Sequence, residues 1–305
     1  MLLFNKLILW MLPILPRKLI WVFSKKYVAG VTLNDAINCS VGLNSNGIKV
    51  TIDILGEAIT NLKEADSYKE QYLDVIDKVE AKGIDGNYSL KPTMFGMAIN
   101  AEKCYESIRE IVKKASSYNN FVRIDMENSP YTDLEIELYK RLLKEFPNNV
   151  GLVLQAYLNR TQQDILNLNN LSKDNLPINF RICKGIYNES PDIAYKKYDD
   201  INNHFIKDLD LILKEKIYVG IATHDKNLVN QALELLKKHN CETTDYEFQM
   251  LLGITPELRK SILEKGHVMR VYVPFGKDWF EYSYRRFKEN PKMLSHIIKA
   301  IFIKG

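Results

Sequence analysis

The sequence predicts an α/β protein folded as a closed (β/α)8 barrel. Two observations carry this expectation. From about residue 46 onward, eight short β-branched or apolar runs alternate with charged segments of helical periodicity, a beat that over roughly 250 residues is the signature of a parallel barrel. The competing open, doubly wound sheet would offer a glycine-rich first turn for a nucleotide, and the chain contains no GxGxxG and no GxxxxGKS/T.

Taken in order, residues 1–45 read as an N-terminal helical arm and residues 46–305 as the barrel. In the arm, the run Leu7–Leu15 is apolar, preceded by Lys6 and followed by Arg17 and Lys18. It resembles a signal-peptide core, but no small-x-small cleavage site follows, and Pro13 and Pro16 interrupt it. Being too short to span a bilayer, it reads as short helices that either pack on the domain or rest on a membrane surface.

The expected strands are Ile48–Leu55, Tyr88–Pro92, Phe121–Met126, Val150–Tyr157, Ile178–Lys184, Tyr218–Thr223, Tyr246–Leu251 and Val268–Val273. Expected helices include Asn100–Ser117, Leu134–Phe146, Asp192–Lys214, Lys226–Lys238 and Pro256–Lys265. Leu134, Leu138, Arg141 and Leu142 show one-sided apolar spacing. Asp133 and Asp225 stand at N-cap positions, and Thr255 precedes Pro256 in the cap–proline order. A last helix begins near Asp278, a candidate N-cap. On it Tyr282, Arg285, Arg286 and Glu289 share one face. Two arginines would serve nothing on an outer wall, so this helix is expected to lie across the barrel mouth.

Composition excludes several classes. With 305 residues, 46% of them hydrophobic and 26% charged, the chain can bury a sizeable core. Its 42 basic and 38 acidic residues leave a scattered +4, too weak for a nucleic-acid partner. Cys39, Cys104, Cys183 and Cys241 form no CxxC pair, and the five histidines form no HxxxH or HExxH. Reduced thiols in a cytoplasmic protein without a protein-held metal are expected.

Barrel chemistry collects at the C-terminal strand ends. The polar residues there are Lys91, Asp125 with Glu127, Gln155, Arg181 with Lys184, Thr223 with His224, and Tyr272, while strand interiors elsewhere read as Val, Ile and Leu. Lys91 alone is an ordinary solvated lysine, and His224 can belong to a helix cap. Gln155 is harder to dismiss, since a buried amide needs partners. Arg181, inside a strand, must meet an anion. Lys91, Arg181, Lys184, Arg285 and Arg286 together exceed what one carboxylate needs, which implies a second anionic ligand such as cofactor phosphates. No persuasive nucleophile–base pair exists, so the residues alone reach a barrel enzyme for an anionic small substrate and stop short of the reaction.

At these residues the chain resembles the proline dehydrogenase family. The matching segments are Tyr-Ser-Leu-Lys-Pro (88–92), Phe-Val-Arg-Ile-Asp-Met-Glu-Asn-Ser-Pro-Tyr-Thr-Asp (121–133), Val-Gly-Leu-Val-Leu-Gln-Ala-Tyr-Leu-Asn-Arg-Thr (150–161), Phe-Arg-Ile-Cys-Lys-Gly-Ile-Tyr (180–187), Ile-Ala-Thr-His-Asp (221–225), Glu-Phe-Gln-Met-Leu-Leu-Gly (247–253) and Tyr272–Asn290. Order and spacing hold from about residue 27 to 300, closest to the monofunctional bacterial type. The resemblance implies that Lys91, Arg285 and Arg286 hold the carboxylate of proline, with Tyr272, Tyr282 and Leu251 around the ring. It implies that Asp125 organises the cationic cluster, that Arg181 faces the reactive edge of a flavin, and that Glu289 fixes an arginine from behind. Met126, Gln155, Lys184, Gly185, Ile186, Thr223 and His224 would bind FAD.

The implied reaction converts L-proline to 1-pyrroline-5-carboxylate, the first step of proline degradation. Electrons would pass to a membrane quinone, and a separate pyrroline-5-carboxylate dehydrogenase is a possible partner. The protein would be cytoplasmic or peripheral on the inner face of the membrane. Two departures from the family pattern, Asn128 where many relatives carry an acid and Pro92-Thr93 where a serine is expected, touch only local flavin contacts. Tyr272 matches the proline-specific form. Two other readings stand beside this one: a Schiff-base lyase using Lys91, and a non-catalytic ligand-binding relative.

Overall fold

The computed structural model describes residues 17–56 and 58–289, with no side-chain account of Leu19, Phe23, Asp174 or residues 285–289. The apolar run Leu7–Leu15 lies outside the described residues. The described chain runs α1 (Arg17–Ser24), α2 (Leu33–Asn44), β1 (Lys49–Ile54), α3 (Leu62–Ala81), β2 (Gly86–Leu90), α4 (Ala101–Ser117), β3 (Val122–Ile124), α5 (Thr132–Glu145), β4 (Val150–Gln155) and α6 (Thr161–Asn169). It continues β5 (Asn179–Cys183), α7 (Tyr198–Lys214), β6 (Tyr218–Ala222), α8 (Lys226–Lys238), β7 (Tyr246–Leu251), α9 (Pro256–Glu264), β8 (Met269–Phe275) and α10 (Trp279–Glu289). The strands close as β1-β2-β3-β4-β5-β6-β7-β8, every neighbouring pair parallel. This is the expected barrel.

Alternation along the strands separates two interiors. Val50, Ile52, Ile54, Tyr88, Leu90, Val122 and Ile124 belong to one apolar core with helix residues such as Tyr72, Ile76, Ile108 and Val112. The residues between them, Thr51, Asp53, Asn87, Ser89 and Arg123, are equally buried but polar. They line the barrel lumen, as their contacts across it show. Strand interiors therefore carry polar residues on their inward face, against the expected Val, Ile and Leu. The Val, Ile and Leu belong to the outward, helix-facing set.

The lumen carries a polar ladder. At the floor, Arg270 Nε donates to Glu247 Oε1 at 2.7 Å and its NH1 to Val50 O at 2.8 Å. Glu247 Oε1 also accepts from Gln249 Nε2 at 2.6 Å. Burial opposes the Glu247 charge, but Arg270 and these hydrogen bonds hold its pKa below the usual range. Arg123 donates to Asn179 O at 3.1 Å and to Asn179 Oδ1 at 2.6 Å, and burial lowers its pKa to about 9. Two glycines make room for these long side chains. A Cβ on Gly151 would stand 2.3 Å from Arg123 NH1, and one on Gly220 would stand 2.4 Å from Gln249 Nε2.

The ends of the barrel depart from simple repetition. α2, started by a reciprocal Thr32–Asp35 capping box, packs on β1 and β8, the flank that a helix after β8 would otherwise cover. Released from that flank, α10 packs with α1 through Trp21 and Trp279, whose rings lie 4.7 Å apart edge to face. Tyr282 is buried there with Val28 and with Leu55, the residue after β1.

Expected helix starts fared unevenly. Asp225 caps α8, accepting from Asn227 N at 3.0 Å. Asp133 instead sits inside the first turn of α5 and accepts from Arg160 NH2 at 2.6 Å. Thr255 stands at φ +39° and makes no side-chain cap. The helix expected from Asp192 begins at Tyr198, because residues 193–195 are pinned to the loop after β4 by Asn159 N→Ile193 O at 2.9 Å and Tyr195 N→Tyr157 O at 2.8 Å.

One buried acid gives a stability prediction. Asp208 on α7 is fully buried, and burial pushes its carboxyl up to about 7 against a weaker lowering by Gln162. A folded-state pKa above the unfolded value means that the stability it contributes is present below about pH 4 and lost as pH rises through about 7. Asp208→Asn cannot ionise, so its stability should gain on the wild type by about 2 kcal/mol, or about 5 °C in melting temperature, between pH 5.5 and pH 8. Calorimetry showing a pH-independent difference would contradict this.

Candidate active site

The upper rungs of the ladder form the site at the C-terminal ends of the strands. Gln249, oriented by its bond to Glu247, turns its carbonyl to Arg181 Nε. Arg181 crosses the lumen from β5. Its NH1 donates to Asp125 Oδ1 at 3.0 Å and to Ser89 Oγ on β2 at 3.2 Å. Ser89 Oγ donates in turn to Asp125 Oδ1 at 2.6 Å, and Tyr272 OH from β8 donates to Asp125 Oδ2 at 2.9 Å. The guanidinium lies 5.4 Å from the Tyr272 ring centre. Three directions of support leave the Arg181 side chain no freedom, and it is 6% exposed.

Lys91 follows β2 and joins this group from the other side. Its Nζ donates to Asp53 Oδ1 on β1 at 2.8 Å, with side-chain exposures of 18% for Lys91 and 0% for Asp53. Burial opposes the Lys91 charge. The carboxylates of Asp53 and Asp125 outweigh it and raise the pKa, so Lys91 is an ammonium at neutral pH. Burial likewise opposes ionisation of Tyr272 and, with Asp125 and Asp53 beside it, places its pKa well above the ordinary phenol value. Tyr272 is thus a neutral donor.

A second group lies at the ends of β3 to β7. Gln155, 1% exposed, donates through Nε2 to Glu127 O at 2.8 Å, which sets it beside Met126. Glu127 itself accepts from Thr93 N at 2.8 Å and Thr93 Oγ1 at 2.7 Å, tying the turn after Lys91 to the end of β3. Lys184 Nζ reaches Asp225 Oδ2 at 2.9 Å and lies 4.3 Å from the Tyr198 ring centre. Thr223 Oγ1 accepts from Asp225 N at 3.1 Å. His224 Nε2 accepts from Leu251 N at 2.8 Å, which places that ring nitrogen unprotonated. Burial raises the Asp225 carboxyl, but the Tyr198 hydrogen bond and Lys184 more than offset it and hold it at about 2.

The sequence-predicted residues thus fall into two groups. Lys91, Asp125, Arg181 and Tyr272 converge. Met126, Gln155, Lys184, Gly185, Ile186, Thr223, His224 and Leu251 line the neighbouring rim. Tyr282, on α10, is buried against Val28 and Leu55, and the side chains of Arg285, Arg286 and Glu289 lie outside the described residues. The surplus of positive charge inferred from sequence does not come from the described cations: Lys91, Arg181 and Lys184 each meet a carboxylate. Sequence reasoning missed Asp53, Ser89, Gln249, Glu247 and Arg270. Their signal was the polar half of a period-two alternation. Among the described residues, no three His, Cys, Asp or Glu are grouped to hold a metal ion.

Fold and site together define a (β/α)8 barrel of the enzyme type, with ligand chemistry at the C-terminal rim. The chain belongs to the proline dehydrogenase family, whose sequence pattern matches residues 37–299. It is 34% identical over 281 residues to Proline dehydrogenase 1 of Bacillus subtilis (strain 168), covering 92% of this chain and 91% of that protein. It is 31% identical over 295 residues to the proline dehydrogenase of Deinococcus radiodurans, covering 95% and 93%. In structure it resembles proline utilization A (PutA) of Bdellovibrio bacteriovorus, inactivated by N-propargylglycine, with a TM-score of 0.83 at 23% identity. That match covers 88% of this chain and 33% of the longer protein.

Enzymes of this family carry a flavin, and the rim fits such a group. Lys184 is followed by Gly185 at φ +103° and by Ile186, an apolar side chain 47% exposed beside a cation. A Cβ on Gly185 would stand 2.2 Å from the Tyr157 ring, so the backbone can pass there only as glycine. An ammonium, two amide or hydroxyl side chains and an uncovered apolar face on adjoining strand ends suit an aromatic ring bearing phosphate.

Proposed function

We propose that this protein is an FAD-dependent L-proline dehydrogenase that converts L-proline to 1-pyrroline-5-carboxylate. The observation that carries it is the meeting at the barrel mouth of the hydrogen-bonded group Arg181–Asp125–Tyr272 with the Lys91–Asp53 ion pair. The flavin, when bound, supplies the acceptor for two electrons and the hydrogen leaving the ring carbon beside nitrogen.

Lys91, with Arg285 and Arg286 of α10, takes the substrate carboxylate, and Glu289 steadies an arginine of that pair. Tyr272 and Leu251 bound the ring, and Tyr282 both bounds it and seats α10. Fixing the acid end positions the reacting carbon, a proximity effect of several kcal/mol in favourable cases. Arg181, held by Asp125, Ser89 and Gln249, presents positive charge where negative charge grows on the acceptor. Met126, Gln155, Lys184, Gly185, Ile186, Thr223 and His224 hold FAD.

The Asp53 carboxylate beside Lys91 Nζ favours the ammonium over the free amine that a Schiff-base lyase needs, which counts against that reading. Electrons pass to a membrane quinone. No helix of the described residues is long and apolar enough to cross a membrane. The exposed Arg17, Lys18, Lys25 and Lys26 around exposed Val22 on and after α1 support contact of a cytoplasmic protein with an anionic bilayer surface. A separate pyrroline-5-carboxylate dehydrogenase consumes the product.

The test is steady-state reduction of dichlorophenolindophenol by the full-length, FAD-loaded chain. Reduction that depends on L-proline and forms pyrroline carboxylate in equal amount is expected. A chain that binds FAD and proline yet reduces no dye would instead be the non-catalytic relative.

A further inference from the structure

We infer that Asp53 is a positioning residue for the substrate carboxylate, acting through Lys91. The inference rests on the reading of Lys91 above. β1 and β2 pair with Asp53 opposite Ser89, two residues before Lys91, which follows β2. Asp53 is fully buried, and its Oδ1 accepts from Lys91 Nζ at 2.8 Å. The charged groups facing Lys91 come from β1 (Asp53) and from the end of β3 (Asp125 and Glu127). Asp125 is already committed to Arg181 and Tyr272, and Glu127 to Thr93. Among the described residues Asp53 is therefore the carboxylate in direct contact with the ammonium.

A buried ion pair gives little stability over an apolar pair of the same volume, so stability alone does not account for one in the lumen. Its geometric effect is specific. A lysine stem has four rotatable bonds and would otherwise turn its ammonium to water. With one N–H fixed on Asp53, the remaining two are held at the mouth for an incoming acid. In the reading above, Arg285 and Arg286 still take the acid end and keep the reacting carbon placed, so loss of this one clamp should appear in KM more than in kcat.

The experiment is a cycle of Asp53→Asn, Lys91→Met and the double variant in the full-length, FAD-loaded enzyme, reading kcat and KM for L-proline. Asp53→Asn should raise KM by about tenfold or more with kcat within about threefold. In the Lys91→Met background the same change should move KM by less than about threefold, because its route of action is gone. Should Asp53→Asn fail to fold, Lys91→Met and the double variant suffice: KM should agree, and the double variant should melt higher, since Asn leaves no unpaired buried charge. An equal rise of KM in both backgrounds, an unchanged KM in Asp53→Asn, or a fall confined to kcat would overturn the proposal. A wild-type chain that turns over no proline would overturn both this inference and the functional reading, and is distinguished from the other outcomes by that control.

Discussion

Replacing Arg181 with methionine is expected to slow flavin reduction by proline by about a hundredfold to a thousandfold, the cost of removing one preorganised charge in the role proposed for it. The size of the effect follows from how the guanidinium is held. Asp125, Ser89 and Gln249 fix it before any substrate arrives, so no reorganisation accompanies the reaction. Arg181→Lys keeps the charge but cannot satisfy Gln249, Ser89 and Asp125 with one ammonium in the same plane, and should recover only part of the rate. Methionine also leaves Asp125 without its cation, so a lower melting temperature should accompany the slower step. Rapid mixing with proline under anaerobic conditions separates the two, since the rate of bleaching is read on folded protein alone. A rate within about threefold of wild type would remove Arg181 from the electrostatic role assigned to it.

The second large effect is on stability and starts from the opposite end of the ladder. Glu247→Gln should cost about 3–5 kcal/mol by leaving Arg270 charged and uncompensated inside the barrel. That corresponds to a loss of about 10 °C in melting temperature. Pairing it with Arg270→Met should restore much of the loss, since the penalty belongs to the stranded charge. Glu247 also has a route to the site. It holds Gln249 Nε2, which directs the Gln249 carbonyl to Arg181. Glu247→Gln should therefore slow turnover by about tenfold even well below its melting temperature. A shift of less than about 2 °C would show that the floor pair is not needed for the barrel.

The barrel was legible because its apolar signal is local. β-branched runs such as Val150–Leu154 and amphipathic helices such as Ala101–Ser117 declare themselves within a few residues. Helix starts were less legible. Asp133 had a better partner in Arg160, and residues 193–195 were held by backbone bonds to the loop after β4, a tertiary restraint that no propensity reports. Strand-end residues such as Lys91, Arg181 and Tyr272 were found because polarity at a strand end is conspicuous. Their partners were not found. Asp53 in Lys-Val-Thr-Ile-Asp-Ile and Gln249 in Tyr-Glu-Phe-Gln-Met-Leu each stand one residue from a large apolar neighbour, and a window average hides them. Reading the inward half of each strand separately recovers Thr51, Asp53, Asn87, Ser89, Glu247, Gln249, Arg270 and Tyr272. What no such reading gives is the pairing: Arg181 meets Ser89 three strands away because the sheet closes, and closure is a property of the whole chain.

The charge accounting also changes with the structure. From sequence, five cations with one counter-charge implied a strongly positive mouth. In the structure Asp53, Asp125 and Asp225 each answer one of them. Among the described residues the cations of the mouth stand in oriented pairs that hold individual donors in place, and orientation is what catalysis by positioning requires.

The most direct measurement is an absorption spectrum of the purified full-length chain, loaded with FAD, before and after anaerobic addition of L-proline. The visible flavin band should be present at the outset, bleach on adding proline, and return when an electron acceptor is admitted. A chain that takes up no FAD, or one whose flavin band is unchanged by proline, would contradict the account.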